Sequence, residues 1–377
     1  MQSAGFASSV AVLAACTLCA ACSSTSTRDV VVADAATTGG SAGKAGAAGS
    51  AGSANAGGSG NAGSAGSAGS VNAGGSGNAG SGGDASTEGG SGQGGSAGCT
   101  PSPDFATDSK NCGSCGHDCL QADCTNGKCQ PFELAGTEGG PIAVTVNDNK
   151  LYWSNRLAGT IRTCALPACS MKTTVATVAN PWGITTYGGM LFWTTTSAGS
   201  ADGTIHRCDP ANCPATATRT APPALSGPRG LAVTATHLYW TEVGPGWLTQ
   251  CPLVGCTTPV QLSQGNGSGV AVNTTNVYWT STDEKSVKTC LLGSCTNTSP
   301  VALVSEPVDS PQGVAVDSTY AYWTAGTRIM RCLLSGCMAS AQALVPSTLT
   351  PSGIAVDGTA VYWTSYSAGT LMRLVKP

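Results

Sequence analysis

The chain has 377 residues, with 52 Gly, 19 Cys, only 10% charged and 5% aromatic residues. Its 17 Lys+Arg against 20 Asp+Glu leave a formal net charge of −3, without the basic surplus that a nucleic-acid binder needs. The cysteine count points away from the reducing cytosol. Twenty-four of the glycines lie between Gly39 and Gly98, so the length overstates how much of the chain can build a core.

Residues 1–21 are small and apolar, with Phe6, Val10, Val12, Leu13 and Leu18 among alanines and no Asp, Glu, Lys or Arg. The span is short for a transmembrane helix, which needs about 20 apolar residues, and suits the apolar region of a signal peptide. It runs into Leu18-Cys19-Ala20-Ala21-Cys22 followed by Ser23-Ser24. This resembles a bacterial lipobox, which implies lipid on Cys22 and export as an outer-membrane or cell-surface lipoprotein, touching the membrane only through that anchor. Leu13-Ala14-Ala15-Cys16 also fits a lipobox, with a very short apolar region before it, and ordinary signal cleavage would leave a secreted protein. The usual Lys or Arg ahead of the apolar region is missing. Setting aside Cys16, Cys19 and Cys22 leaves 16 cysteines, an even number.

Residues 22–98 form a tether. From Gly39 onward it is a Gly/Ala/Ser/Asn tract in which Asn55 to Ser64 recurs as Asn72 to Ser81. Such a composition cannot bury enough apolar surface to offset chain entropy and is expected to be disordered. Residues 99–130 then carry Cys99, Cys112, Cys115, Cys119, Cys124 and Cys129. A segment this small needs staples, and export favours disulfides over a zinc or redox site at Cys112, Cys115 and His117. Fifteen connectivities are open to six cysteines. The Asn-Cys-Gly-x-Cys-Gly-x-x-Cys run resembles Cys-rich stalks of bacterial, especially myxobacterial, surface proteins, a likeness that implies no activity.

Residues 131–377 contain six related tripeptides: Tyr152-Trp153-Ser154, Phe192-Trp193-Thr194, Tyr239-Trp240-Thr241, Tyr278-Trp279-Thr280, Tyr322-Trp323-Thr324 and Tyr362-Trp363-Thr364. The tryptophans are 39 to 47 residues apart, and ten residues before each of the last five stands a glycine: Gly183, Gly230, Gly269, Gly313 and Gly353. Short β-branched and aromatic runs between Gly, Pro and Asn turns are the strand signal. Four such strands in about 42 residues is the period of a propeller blade. The fold class read from the chain is therefore all-β, a six-bladed β-propeller of four-stranded blades behind a small disulfide-rich module and a disordered linker. The last repeat stops after Leu374, and Pro131 to Ala135 matches the fourth strand of other repeats, so the N-terminal strand is expected to close the ring. Five Cys-x-x-x-x-Cys pairs, Cys164/Cys169, Cys208/Cys213, Cys251/Cys256, Cys290/Cys295 and Cys332/Cys337, fall where the third strand turns into the fourth. They are expected to be local disulfides across the hairpin.

The tripeptide resembles the YWTD six-bladed β-propeller of the low-density-lipoprotein-receptor family and its bacterial relatives, across all six units. That family's fourth residue, an Asp that helps bond neighbouring blades, is here Asn155, Thr195, Glu242, Ser281, Ala325 or Ser365. The inter-blade network is therefore expected to be weaker or built differently.

No Ser/His/Asp order, paired carboxylates or metal-spaced His cluster is present, and no catalytic residue, metal ligand or cofactor is assigned. Asp317 and Asp357 recur after an apolar strand and read as turn residues. The position before each glycine varies from unit to unit: Ile142, Trp182, Arg229, Ser268, Gln312 and Ser352. Variable loops around a fixed scaffold describe a binding face. Trp182, Arg229 and Gln312, with Glu242, Trp247 and Asp283 from loops at the same end, are the candidate contacts. The function read from the chain is a monomeric, exported binding module for an extracellular protein, peptide or glycan, and not an enzyme. The alternative is an extracellular lactonase-like hydrolase or lyase with a divalent metal in the central channel.

Overall fold

The structure is a computed structural model describing residue 99 and residues 102–196, 202–213, 215–244, 246–296, 300–304 and 309–377. The export segment with Cys22, and the Gly-rich tract, lie outside the described residues. Two short strands, β1 (Cys124–Thr125) and β2 (Lys128–Cys129), pair in the Cys-rich module, and β3 (Phe132–Ala135) follows it. Blade one comprises β4 (Pro141–Asn147), β5 (Lys150–Asn155), β6 (Thr160–Ala165) and β7 (Lys172–Thr177). Blade two comprises β8 (Pro181–Tyr187), β9 (Met190–Thr195), β10 (Thr204–Cys208) and β11 (Thr218–Arg219). Blade three holds β12 (Pro228–Val233), β13 (His237–Glu242), β14 (Trp247–Pro252) and β15 (Val260–Gln264). Blade four holds β16 (Val270–Val272), β17 (Asn276–Ser281), β18 (Ser286–Leu291) and β19 (Val301–Ala302). Blade five is β20 (Pro311–Val316), β21 (Tyr320–Ala325), β22 (Arg328–Leu333) and β23 (Gln342–Val345), with the short helix α1 (Cys337–Ser340) before its last strand. Blade six is β24 (Pro351–Val356), β25 (Ala360–Ser365), β26 (Thr370–Val375) and β3, so the N-terminal strand completes the last blade. In that closure Leu371 lies opposite Ala135, and Arg373 opposite Phe132.

The tripeptide explains why blades stack. Side chains alternate along a strand, so its first and third residues face one neighbouring blade and its Trp faces the other. The buried clusters follow this rule around the ring. Tyr152 packs with Trp193, Phe192 with Trp240, Tyr239 with Trp279, Tyr278 with Trp323, Tyr322 with Trp363, and Tyr362 with Trp153. Each of the six tryptophans is at most 3% exposed.

The third residue supplies the inter-blade bond. The hydroxyl of Thr324 accepts a hydrogen bond from Gly313 N–H of its own blade (2.8 Å) and donates to the Ser352 carbonyl of the next (3.0 Å). Thr194 does the same between Gly183 N–H and the Arg229 carbonyl, and Thr280 between Gly269 N–H and the Gln312 carbonyl. Thr364 closes the ring from Gly353 N–H to the Ile142 carbonyl (3.2 Å). In blade one Ser154 donates to the Trp182 carbonyl. At these five interfaces the blades are thus joined through buried hydroxyls.

The glycines answer the same geometry. A Cβ on Gly183 would lie 2.0 Å from the Arg229 carbonyl oxygen, and one on Gly313 would lie 2.6 Å from that of Ser352. The innermost strands therefore touch backbone to backbone. In blade four, where Gly267 replaces the usual proline, a Cβ would sit 1.7 Å from the Thr280 carbonyl oxygen, and strand β16 starts only at Val270.

The five Cys-x-x-x-x-Cys pairs are local disulfides: Cys164–Cys169, Cys208–Cys213, Cys251–Cys256, Cys290–Cys295 and Cys332–Cys337. Their placement corrects the expectation of a staple across the hairpin. The first cysteine of each pair lies on a third strand, but Cys169, Cys213, Cys256 and Cys295 lie in the connecting loop, ahead of the fourth strand, and Cys337 opens α1. The reason is reach. Four intervening residues are used up in reversing the chain, so the second sulfur returns to the end of the third strand before the fourth has begun. Each bond therefore folds its loop back onto the third strand instead of crossing the ladder. Cys169 and Cys295 are buried by this return, whereas Cys213 and Cys256 are half-buried.

The Cys-rich module is joined Cys99–Cys115, Cys112–Cys124 and Cys119–Cys129. The Sγ atoms of Cys112, Cys119 and Cys129 cluster, but each is consumed in a disulfide. The module packs on blades five and six rather than standing apart: Cys112, Cys119, Ala122, Cys124 and Cys129 share a buried cluster with Ile329, Val361 and Leu374. Arg373, fully buried, donates to the carbonyls of Leu120 and Pro167. His117 bridges the carbonyls of Cys112 and Lys376 through its two ring nitrogens.

Candidate functional site

Each first strand begins beside the end of the second, as Pro141 opposite Asn155 and Pro311 opposite Ala325 show. The turns entering strand one and those leaving strand two therefore meet at one end of the ring. At this end the central channel narrows to about 60 Å³, lined by Ile142, Trp182, Ser268, Gln312 and Ser352 with the glycines behind them. The varied positions are strand residues of β8, β12, β20 and β24 rather than turn tips, because the inner strands start one residue earlier, at the proline.

Trp182 is only 9% exposed. The guanidinium carbons of Arg156 and Arg229, from the blades on either side, each lie 4.4 Å from its ring centroid, in cation–π range. Arg156 is held by its N–H to the Gly140 carbonyl (2.9 Å), and Arg229 Nη1 donates to Ser268 Oγ (3.3 Å). Burial, and then the like charge of Arg156, push the Arg229 guanidinium below its usual pKa. Trp182, Arg229 and Gln312 thus come to one mouth, joined by Arg156, which the sequence reading passed over. The signal for it was its slot, two residues beyond the tripeptide at the start of a turn.

The other candidates stand apart. Glu242 turns inward: it is 7% exposed and accepts a hydrogen bond from Trp240 Nε1 (2.8 Å), and burial raises its carboxyl pKa against the lowering effect of that bond. Trp247 begins β14, half-buried, and Asp283 is exposed in the turn between β17 and β18. No contact joins either to the Arg–Trp cluster among the described residues. Glu138 also escaped the sequence reading. Its buried carboxylate accepts from Trp153 Nε1 (3.0 Å) and Asn155 Nδ2 (2.7 Å) and pairs with Arg162 (2.7 Å). Its N–H donates to the Gly369 carbonyl of blade six (2.9 Å).

The opposite end opens into a basin of about 1230 Å³ lined by the turns between first and second strands, including His237, Asn273 and Asp317. Asp317 Oδ1 accepts from the N–H groups of Thr319 and Tyr320, and Asp357 Oδ1 from those of Thr359 and Ala360. Both are turn residues, as their spacing predicts. Burial pushes the Asp317 carboxyl up, but bonds from Lys376, Tyr320, Thr319 and Tyr322 outweigh it and leave the pKa lowered. His206 lies elsewhere, stacked on Trp193. The residues lining the narrow channel include no carboxylate and no imidazole, a donor set that does not suit a divalent metal.

No family model matches the sequence, and no curated protein matches it. Solved structures do. A chain of a nidogen/laminin complex aligns with 58% of this chain and 86% of its own, at 17% identity and TM-score 0.51. A gluconolactonase from Xanthomonas campestris aligns over 66% and 89%, at 14% identity and TM-score 0.55. A luciferin-regenerating enzyme aligns over 66% and 95%, at 11% identity and TM-score 0.51. These likenesses concern the propeller fold.

Proposed function

We propose that this chain is an exported binding module that presents the narrow channel mouth of a YWTD-like propeller to an extracellular protein, peptide or glycan. One observation carries the reading. The backbone of the mouth is held constant by the glycine ring and the hydroxyl relay, while the side chain beside each glycine changes through Ile142, Trp182, Arg229, Ser268, Gln312 and Ser352. Eight disulfides suit an oxidising compartment, and a lipid on Cys22 would hold the module at a surface. The structural neighbours include both a nidogen/laminin complex and a gluconolactonase, so the chemistry of the channel has to discriminate. A lactonase-like reaction requires acid, base or metal groups that converge, and the lining side chains are apolar, hydroxyl or amide. That favours binding over hydrolysis.

The test is a screen of labelled protein against extracellular protein, peptide and glycan arrays. Arg229→Ala/Gln312→Ala is compared with His237→Ala at the opposite basin. Binders lost in the first and kept in the second are expected; binders lost only with His237 would move the face to the other end.

A further inference from the structure

The mouth is chemically one-sided. Arg156 and Arg229 both lie over Trp182, and the next positions around the ring, Ser268, Gln312 and Ser352, are neutral and polar. Some other cations find anions, Arg162 with Glu138, Lys288 with Glu284, Arg328 with Asp309 and Lys376 with Asp317, and others such as Arg207 and Arg219 do not among the described residues. What sets Arg156 and Arg229 apart is that they share one indole. Among the described residues neither Arg156 nor Arg229 has a carboxylate within 4.0 Å, and Arg229 spends one N–H on Ser268 while Arg156 spends none of its side-chain donors. A guanidinium offers five donors in a planar fork that matches a carboxylate. Two partly buried like charges on one indole thus keep most of their donors available to an anionic group.

Resting on the proposed binding role, we infer that the Arg156–Trp182–Arg229 cluster is a carboxylate-recognition site, and that it takes the side chain of an Asp or Glu presented by an acidic peptide segment. Trp182 serves as the platform that holds both forks, since its ring is covered by them. The covered indole decides between carboxylate sources. Trp182 is only 9% exposed and both guanidinium groups lie over its ring, so no aromatic face is left for the pyranose of a uronic acid to stack on. The carboxylate of an Asp or Glu on its short flexible stem needs only the forks. The bonds across the mouth are charge-assisted and near the surface, so salt should weaken them.

The experiment uses the full chain and calorimetric titration at low ionic strength. The ligands are an acetylated, amidated hexapeptide of alternating Glu and Gly, its Gln counterpart, and a trigalacturonate. The Glu peptide is expected to bind at least tenfold tighter than the Gln peptide. That preference should vanish in Arg156→Gln/Arg229→Gln, a variant whose melting temperature should be unchanged or raised because two unneutralised charges are removed. His237→Ala, at the opposite basin, should leave it intact. Glu-peptide binding that survives in the double variant overturns the site. Tighter binding of trigalacturonate overturns the peptide assignment. Failure of every acidic ligand overturns the carboxylate inference but leaves the binding module standing if the array screen still finds partners dependent on Arg229 and Gln312; loss of both discards the face itself.

Discussion

At the scale of the residue, the third position of the tripeptide does more than fill a strand. Thr194, Thr241, Thr280, Thr324 and Thr364 are all fully buried, as is Ser154, and a buried hydroxyl must be bonded. In Thr194, Thr280, Thr324 and Thr364 it satisfies an inner-strand N–H and a carbonyl of the next blade together, while Thr241 accepts from Gly230 N–H and Ser154 donates to the Trp182 carbonyl. Thr324→Val keeps the shape but strands Gly313 N–H and the Ser352 carbonyl, each costing about 1–3 kcal/mol when left unmade. A loss of about 2–4 kcal/mol at unchanged denaturant slope is expected, whereas Thr324→Ser, which copies blade one, should stay close to wild type. Equal stability of the Val variant would remove the relay from the account of the fold. Glu242 supplies a second residue-scale expectation. Burial raises its folded pKa above the unfolded value of about 4.3, so the folded state prefers the neutral acid. The stability this preference contributes is present at pH below about 4.3 and is lost as pH rises through the raised folded pKa. Glu242→Gln keeps an acceptor for Trp240 Nε1–H and cannot ionise. Urea midpoints from pH 4 to pH 8 should show the Gln variant gaining on wild type as pH rises; a constant difference would mean that Glu242 titrates alike folded and unfolded.

At the scale of the element, the strands and blades were legible because each repeats one solution six times. Alternation sends Tyr and Thr to one neighbour and Trp to the other, so the same residues recur at the same slots, and spacing alone reveals them. The partners in the five local disulfides were legible for that reason, as was β3 as the missing strand of blade six. The seats of Cys169, Cys213, Cys256 and Cys295 were not, because spacing fixes which sulfurs meet but not where the loop ends and the fourth strand starts. Other features that could not be read occur once. Arg373 reaches Leu120 across 253 residues of sequence, and Glu138 bonds blade one to the turn of blade six at Gly369. No period announces either. Blade six also shows why the Cys-rich module docks where it does. Leu374 stands opposite Val361 as Cys164 stands opposite Leu151, but blade six has no hairpin between third and fourth strands to carry a disulfide. The module, entering directly through β3, packs its own disulfides against Leu374. The binding candidates were half-legible: variation located the mouth, but sequence could not tell Glu242, turned toward its own Trp240, from Arg229, turned toward Trp182.

At the scale of the whole molecule, closure makes each blade interface depend on the other five. Gly183, Gly230, Gly269, Gly313 and Gly353 all have a neighbouring blade's backbone within 2.0–2.6 Å of where a Cβ would stand. In an open stack a blade pushed aside could slide outward; in a ring closed by β3 and by Thr364 on the Ile142 carbonyl, the displacement has to be shared around the circle. This gives a sign test. Where the backbone geometry suits both residues, Gly→Ala stabilises by about 0.4–1 kcal/mol through the unfolded chain. Gly358, in a turn of blade six with nothing within 4 Å of its would-be Cβ, should follow that rule or stay neutral. Gly313 lacks a left-handed backbone, so only the approach of the Ser352 carbonyl oxygen at 2.6 Å opposes a methyl group there. Overpacking against backbone costs about 1–3 kcal/mol, and Gly313→Ala should therefore lose stability of that order in chemical denaturation while Gly358→Ala does not. Because the strain is shared, the Gly313 variant should also shift the channel mouth, lowering affinity for any ligand seated on Arg156 and Arg229 two blades away. A Gly313→Ala protein as stable as the Gly358→Ala control would mean that the inner strands have room to part, and the ring would lose its claim to hold the mouth rigid.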